Sequence, residues 1–209
     1  MAGFVEIPGF REAVKREQRV RRQAWTSAHS LICGVRVRAL TLRDLETLEE
    51  MGNGFFAPWR FDTELEYLAH CAQLVWWLSP VRKPGPDAGL WRTHRCLVAR
   101  RRLNARLAAE PARLANETRA FLEEQFFDAP KGHSGMPTTP AAAGAAYLID
   151  AIAAGGYGLD PETVLDLPLP RLWQLVRMVQ RRVFGQPLTN PSDKLATDYL
   201  AGLAQPARN

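Results

Sequence analysis

Long apolar runs are missing from this sequence, and so is every common catalytic signature. Among 209 residues no stretch reaches the length needed to span a bilayer; the most apolar one, QLVWWLSPV, is broken by Pro80. The opening residues, MAGFVEIPGFREAVKR, show no apolar centre behind a basic start, and therefore do not read as a secretion signal. Cysteine is scarce: three residues, an odd number at wide spacing, argue against a disulfide framework and fit a reducing cytoplasm. Alternating β-branched residues are nearly absent. VRVRAL at 35–40 is the only such stretch, and it is too short to build a sheet alone.

What is present suits an all-α protein. A 46% hydrophobic and 23% charged composition is ordinary for a globular chain able to bury a core. Fifteen prolines and fifteen glycines, many of them clustered, separate the periodic segments. The pattern predicts a compact domain of about seven to eight short-to-medium helices, punctuated by Pro and Gly. Lys and Arg exceed Asp and Glu by 27 to 22, giving a net charge of +5. Most of the excess is arginine, whose planar fork suits phosphates and carboxylates. A charge this modest permits nucleic-acid binding without requiring it.

The organising stretch is 147–184. Tyr147, Leu148, Ala151 and Ile152 recur at helical spacing, and Gly155, Gly156 and Gly158 provide a stop. Asp160-Pro161 restarts a short helix as cap and first residue. Pro168 and Pro170 then open a longer helix whose apolar stripe is Leu169, Leu172, Trp173, Val176, Val179 and Val183, with Arg171, Arg177, Arg181 and Arg182 off the stripe.

Residues 1–19 read as a basic arm with a thin apolar stripe, ordering against something else in cis or in trans. The helical domain is drawn over 20–204, and 205–209 as a tail. From Val20, a helical face is expected through Ala24, Ala28, Leu31 and Ile32 as far as Gly34. Thr41 and Asp44 have the spacing of a capping box, with Leu42, Leu45 and Leu48 inward. Phe55, Phe56 and Trp59 crowd an apolar loop that is either buried or kept for a partner. Asp62 or Thr63 caps the next helix, which is apolar over most of its circumference and so central; Trp77 lies on its polar side.

Residues 81–90, VRKPGPDAGL, form a Pro/Gly linker at which the domain could subdivide. The helix expected over 91–109 carries Cys96, Ala99, Leu103 and Leu107 inward and Arg92, Arg95, Arg100, Arg101, Arg102 and Arg106 outward. Pro111 restarts a helix with Leu114, Thr118, Phe121 and Leu122 on one side. DAPKGHSGMPTTP at 128–140 has the composition of an exposed flexible loop, and Asn190-Pro191-Ser192 opens a last helix bearing Leu195, Tyr199 and Leu203.

Candidate chemistry is thin. His29 and Cys33, if helical, share a face at i and i+4; His70 neighbours Cys71, and His94 lies near Cys96. Zinc sites normally use paired C-x₂-C or H-x₃-H spacings, and none occurs, so isolated buried cysteines are the better reading. A nucleophilic cysteine would need a base, an orienting group and an oxyanion site, which nothing local selects. Gly155-Gly156-Tyr157-Gly158 follows a helix and not a strand, which makes it a stop and not a phosphate loop. No metal or cofactor is therefore expected. The arginines from Arg92 to Arg106, with Trp91 placed to stack on a base, are the nucleic-acid candidate; the plainer reading is a solvated outer face.

One resemblance goes further. Tyr147-Leu148-Ile149-Asp150, Tyr157-Gly158-Leu159-Asp160-Pro161, Val164-Leu165-Asp166-Leu167-Pro168-Leu169 and Leu172-Trp173-Gln174-Leu175 follow one another in order. This run resembles the C-terminal segment of tail assembly chaperone-type proteins of tailed phages and prophages. Leu40-Thr41-Leu42-Arg43-Asp44-Leu45 before Phe55-Phe56, and a helix ending Trp76-Trp77-Leu78-Ser79, resemble the opening of the same kind of protein. The basic arm and the 81–90 linker depart from that pattern. The resemblance implies no enzyme activity. It implies a protein that coats the apolar tape-measure protein in the host cytoplasm and guides tail-tube polymerisation, with Phe55, Phe56, Trp59 and Trp77 as the aromatics expected to meet the client. A nucleic-acid-binding accessory protein acting through Arg92, Arg95, Arg100, Arg101, Arg102 and Arg106 is the alternative, followed by a virion connector or tail-completion subunit. Self-association stays open.

Overall fold

The computed structural model describes residues 7–26, 29–56, 61–81, 89–129, 149–150, 152, 157–184 and 190–204. The fold is all-α: among these residues are eight helices and one small hairpin. Expectations for Trp59, Tyr147, Leu148, Gly155 and Gly156, most of the 81–90 linker, residues 130–140 and the 205–209 tail lie outside the described residues.

Helix α1, Phe10–Trp25, packs on the two C-terminal helices through Val20 and Ala24. The boundary expected between an arm and the domain at residue 19 thus falls in mid-helix. The helical face expected to run on through Leu31 and Ile32 does not form. Instead β1, Ser30–Ile32, and β2, Val35–Val37, pair antiparallel, with Ile32 opposite Val35 and Ser30 opposite Val37. Cys33 and Gly34 make the turn at φ 49° and 69°, the left-handed pair of a two-residue hairpin. Ile32, Val35 and Val37 point inward while Leu31 and Arg36 face out, so period-two packing overrides a coincidental helical spacing.

Helix α2, Leu42–Glu50, begins at the full capping box: Thr41 Oγ1 accepts from the Asp44 N–H at 3.2 Å, and Asp44 Oδ2 accepts from the Thr41 N–H at 3.0 Å. Buried Asn53 then ties the following turn to α3, Glu64–Leu78. Its amide donates to the His70 carbonyl at 3.1 Å and to Gln73 Oε1 at 2.9 Å. Thr63 caps α3, and Cys71, Leu74, Val75 and Leu78 make it the central helix against α4, Leu90–Ala108, α5, Pro111–Gln125, and β2. Helix α5 buries Leu114, Thr118, Phe121 and Gln125, with Pro111 in its first turn.

Asp160 caps the short α6, Pro161–Leu165, by accepting from the Thr163 N–H at 3.0 Å. Helix α7, Leu169–Phe184, buries Leu169, Leu172, Trp173, Val176 and Val179 against α1 and α5, as its stripe predicts. Leu40 joins the two halves of the chain: its N–H donates to Gln125 Oε1 at 3.0 Å and its carbonyl accepts from the Leu169 N–H at 2.7 Å.

Helix α8, Pro191–Ala204, is held by buried charge. Glu17 Oε1 accepts from the Ser192 N–H at 2.6 Å, and Arg21 donates to Asn190 Oδ1 at 2.7 Å. Arg177 pairs with Asp128, which is buried; the exposed-loop reading therefore fails at its first residue. Two carboxylates and two guanidinium groups thereby fasten α1, α7 and α8 to the end of α5.

Candidate functional site

Each candidate residue has a definite place. Phe55 and Phe56 are half-buried on the core, and Phe55 sits edge-on to Phe61 at 5.1 Å and to Tyr67 at 5.4 Å. Phe61 in turn lies 5.1 Å from Tyr67 and 5.6 Å from His70. This aromatic knot closes the α2–α3 connection from within. Trp77, on the polar side of α3, is also half-buried, and its indole Nε1 donates to Asp44 Oδ1 at 2.8 Å. Burial pushes the Asp44 carboxyl up, but the Arg38 hydrogen bonds and charge, with the Trp77 and Thr41 donors, outweigh it and hold the group below its ordinary value. Three of the four aromatics expected at a client surface thus have partners inside the molecule.

The first cysteine–histidine pair comes apart. His29 precedes β1 while Cys33 lies in the hairpin turn, so the shared helix face does not exist. All three cysteines are buried, and burial pushes the Cys71 thiol up to about 11 against the hydrogen bonds of Thr118 and Tyr67. A thiol with that pKa is protonated at neutral pH and is a small hydrophobe, not a nucleophile. Among the described residues no three His, Cys, Asp or Glu side chains gather as a metal-ligand set.

Helix α4 is different. It holds six arginines and no carboxylate. At about 100° per residue its positions separate into three stripes. Cys96, Leu103 and Leu107 form the buried one. Beside them Arg100 sits over the Trp76 ring, its guanidinium carbon 4.3 Å from the centroid, which places this arginine in the packing. Arg92, Arg95, Arg102 and Arg106 form a second stripe, exposed to solvent.

The third stripe faces away from the core and carries three large apolar side chains. Leu90 is 92% exposed, Trp91 73% and Leu97 53%. His94 stacks on Trp91 with centroids 6.2 Å apart and ring planes 16° apart, and Arg101 continues the row. Arg92, Arg95, Arg101 and Arg102 make no ion pair among the described residues. Fully burying an exposed leucine is worth about 1.5–3 kcal/mol; the half-exposed Leu97 has less left to cover, and Trp91 offers a larger area.

No protein-family model, no curated protein and no solved structure matches the chain. The surface chemistry of α4 is accordingly what the fold itself offers.

Leu90 and Leu97 were missed by sequence reading, which sorted this helix into arginines outside and apolar residues inside. The signal was nevertheless there. Cys96, Leu103 and Leu107 fall within about 40° of one another round the helix, whereas Leu97 lies about 100° from Cys96, off that stripe.

Among the described residues no helix is long and apolar enough to cross a membrane.

Proposed function

We propose that this protein is a non-enzymatic binding factor for another polypeptide, acting in tail assembly of a tailed phage as a chaperone of the tape-measure protein in the host cytoplasm. The observation that carries the binding mode is the outward apolar row Leu90, Trp91 and Leu97 on a helix whose core contacts are already supplied by Cys96, Leu103 and Leu107. A helix needs one apolar stripe to hold its place; a second, in water, is the feature of a helix that meets a partner. The motif run ending Leu172-Trp173-Gln174-Leu175 supports the phage setting, because it resembles tail assembly chaperone-type proteins.

A long helical client exposes apolar seams until it is assembled. A chaperone that covers those seams reversibly needs exposed anchors on a stable scaffold, with no reaction to perform. Phe55, Phe56 and Trp77 support that scaffold in this reading, and the anchoring passes to α4.

The test is co-expression with a tape-measure fragment from the same genome. The fragment is expected to remain soluble and to co-purify with the chain. A fragment that stays insoluble and unbound overturns the proposal. Steeply salt-dependent binding of DNA or RNA in its place would move the chain to the nucleic-acid reading.

A further inference from the structure

We infer that the outer face of α4 is the docking site, and that its occupant is an acidic amphipathic helix whose apolar seam lies on Leu90, Trp91 and Leu97 and whose carboxylates meet the neighbouring arginines. This inference rests on the protein-binding reading above and names the chemistry of the partner.

The argument is charge complementarity joined to apolar exposure. Helix α4 carries six arginines and not one acidic residue. Many of the described arginines elsewhere meet carboxylates of the chain itself: Arg38 with Asp44, Arg43 with Glu162 and Asp166, Arg113 with Glu110 and Glu117, Arg177 with Asp128. On α4, Arg92, Arg95, Arg101 and Arg102 have no carboxylate within ion-pair distance among the described residues, although the chain contains 22 acidic side chains. Such a concentration of unmatched positive charge on one helix repels itself and calls for anionic groups from outside.

Two kinds of anionic partner could answer, and the aliphatic residues decide between them. A nucleic-acid strand would use the arginines for its phosphates and the Trp91–His94 stack for a base, yet it has nothing to place on Leu90 or Leu97. An amphipathic helix covers leucines with leucines at i, i+3, i+4 and i+7, while its flanking glutamates reach the arginine stripe about 100° round the helix. The spacing fits as well: Leu90 and Leu97 stand two turns apart on one side of α4, with the Trp91–His94 stack beside them and Arg101 one turn beyond.

The experiment uses the full chain and three fluorescent probes: a Leu/Glu amphipathic peptide of about five helical turns, its Leu/Lys counterpart, and a single-stranded oligothymidylate of equal charge. Anisotropy titrations are made with the wild type and with two surface variants, Leu90→Ser/Leu97→Ser and Arg101→Glu/Arg102→Glu. Circular dichroism melts establish that the variants are folded, and Leu97→Ser alone serves if the double substitution melts early.

The acidic peptide should bind the wild type at least about tenfold more tightly than the basic one. The leucine substitutions should weaken it about tenfold or more, and the glutamate substitutions should reverse the preference toward the basic peptide. Equal binding of the two peptides, or acidic-peptide binding indifferent to both variants, overturns the inference. So does oligothymidylate binding that is tighter than the peptide and unaffected by Leu97→Ser.

Co-expression separates this failure from failure of the function. If the wild type and both variants keep a tape-measure fragment soluble, the docking face is wrong and the chaperone reading stands. If the wild type leaves the fragment insoluble, the chaperone reading falls whatever the peptides do.

Discussion

The indole of Trp77 donates to the carboxylate of Asp44 at 2.8 Å, across 33 residues of sequence, and the same carboxylate caps α2 and receives Arg38. One buried acid therefore joins α2, α3 and the strand leading into them. Trp77→Phe keeps an aromatic ring at this place but removes the indole N–H together with part of the ring's apolar area. The substitution should cost about 1–3 kcal/mol, since a buried charged acceptor loses one of its bonds. Urea unfolding measures this. Binding of the amphipathic peptide should be unchanged, because the ring lies in the scaffold and not on the outer face of α4.

The same acid sets a pH dependence. Asp44 is held below its ordinary value of 3.8 in the fold, so the folded chain keeps it ionised where the unfolded chain has begun to bind a proton. The associated stability is complete above about pH 3.8 and is lost as pH falls through the lower folded value. Unfolding free energy followed against pH should fall in that acid window, and Asp44→Asn should flatten the fall while lowering stability at neutral pH. An acid limb identical in the two proteins would show that Asp44 does not carry it.

Glu17 offers a test of how α8 is held. Its carboxylate accepts from the Ser192 N–H at the start of α8 and lies 3.8 Å from Arg21. Glu17→Ala leaves a buried N–H and a guanidinium group short of a partner, at a cost of about 1–3 kcal/mol. Hydrogen exchange should rise first over 191–204, while α3 amides keep their protection. Uniform acceleration across the chain would contradict this local account.

How far the sequence spoke depended on the range of the interaction. Thr41 with Asp44 and Asp160 with Thr163 were legible because capping acts over three residues. The central place of α3 was legible because apolar residues cover most of its circumference. The hairpin was not: Val20, Ala24, Leu31 and Ile32 happen to fit a helical period, and the deciding feature was the turn at Cys33-Gly34, where a non-glycine residue takes positive φ. The acid–arginine network escaped for another reason. Asp128 meets Arg177 across 49 residues, and nothing local distinguishes Asp128 from a loop aspartate. Trp77 stands out in the sequence for its place on the polar side of α3, but its partner Asp44 lies on another helix and could not be read.

Two leucines on α4, six residues apart, state the difference between holding the fold and serving a partner. Leu103 is 7% exposed and packs in the core, whereas Leu97 is 53% exposed on the outer face. Leu103→Ala should therefore cost about 2–5 kcal/mol through lost burial and the cavity left behind. Leu97→Ala should stay within about 0.5 kcal/mol of the parent, because its methyl groups already meet water. Thermal and urea unfolding of the two variants side by side give the stability comparison, and peptide anisotropy on the same samples gives the binding one. Leu97→Ala should be silent in the first and impaired in the second. Leu103→Ala should bind the peptide normally wherever it remains folded. A large loss of stability from Leu97→Ala would mean that this side chain is part of the core, and the second apolar stripe of α4 would then have no partner to explain.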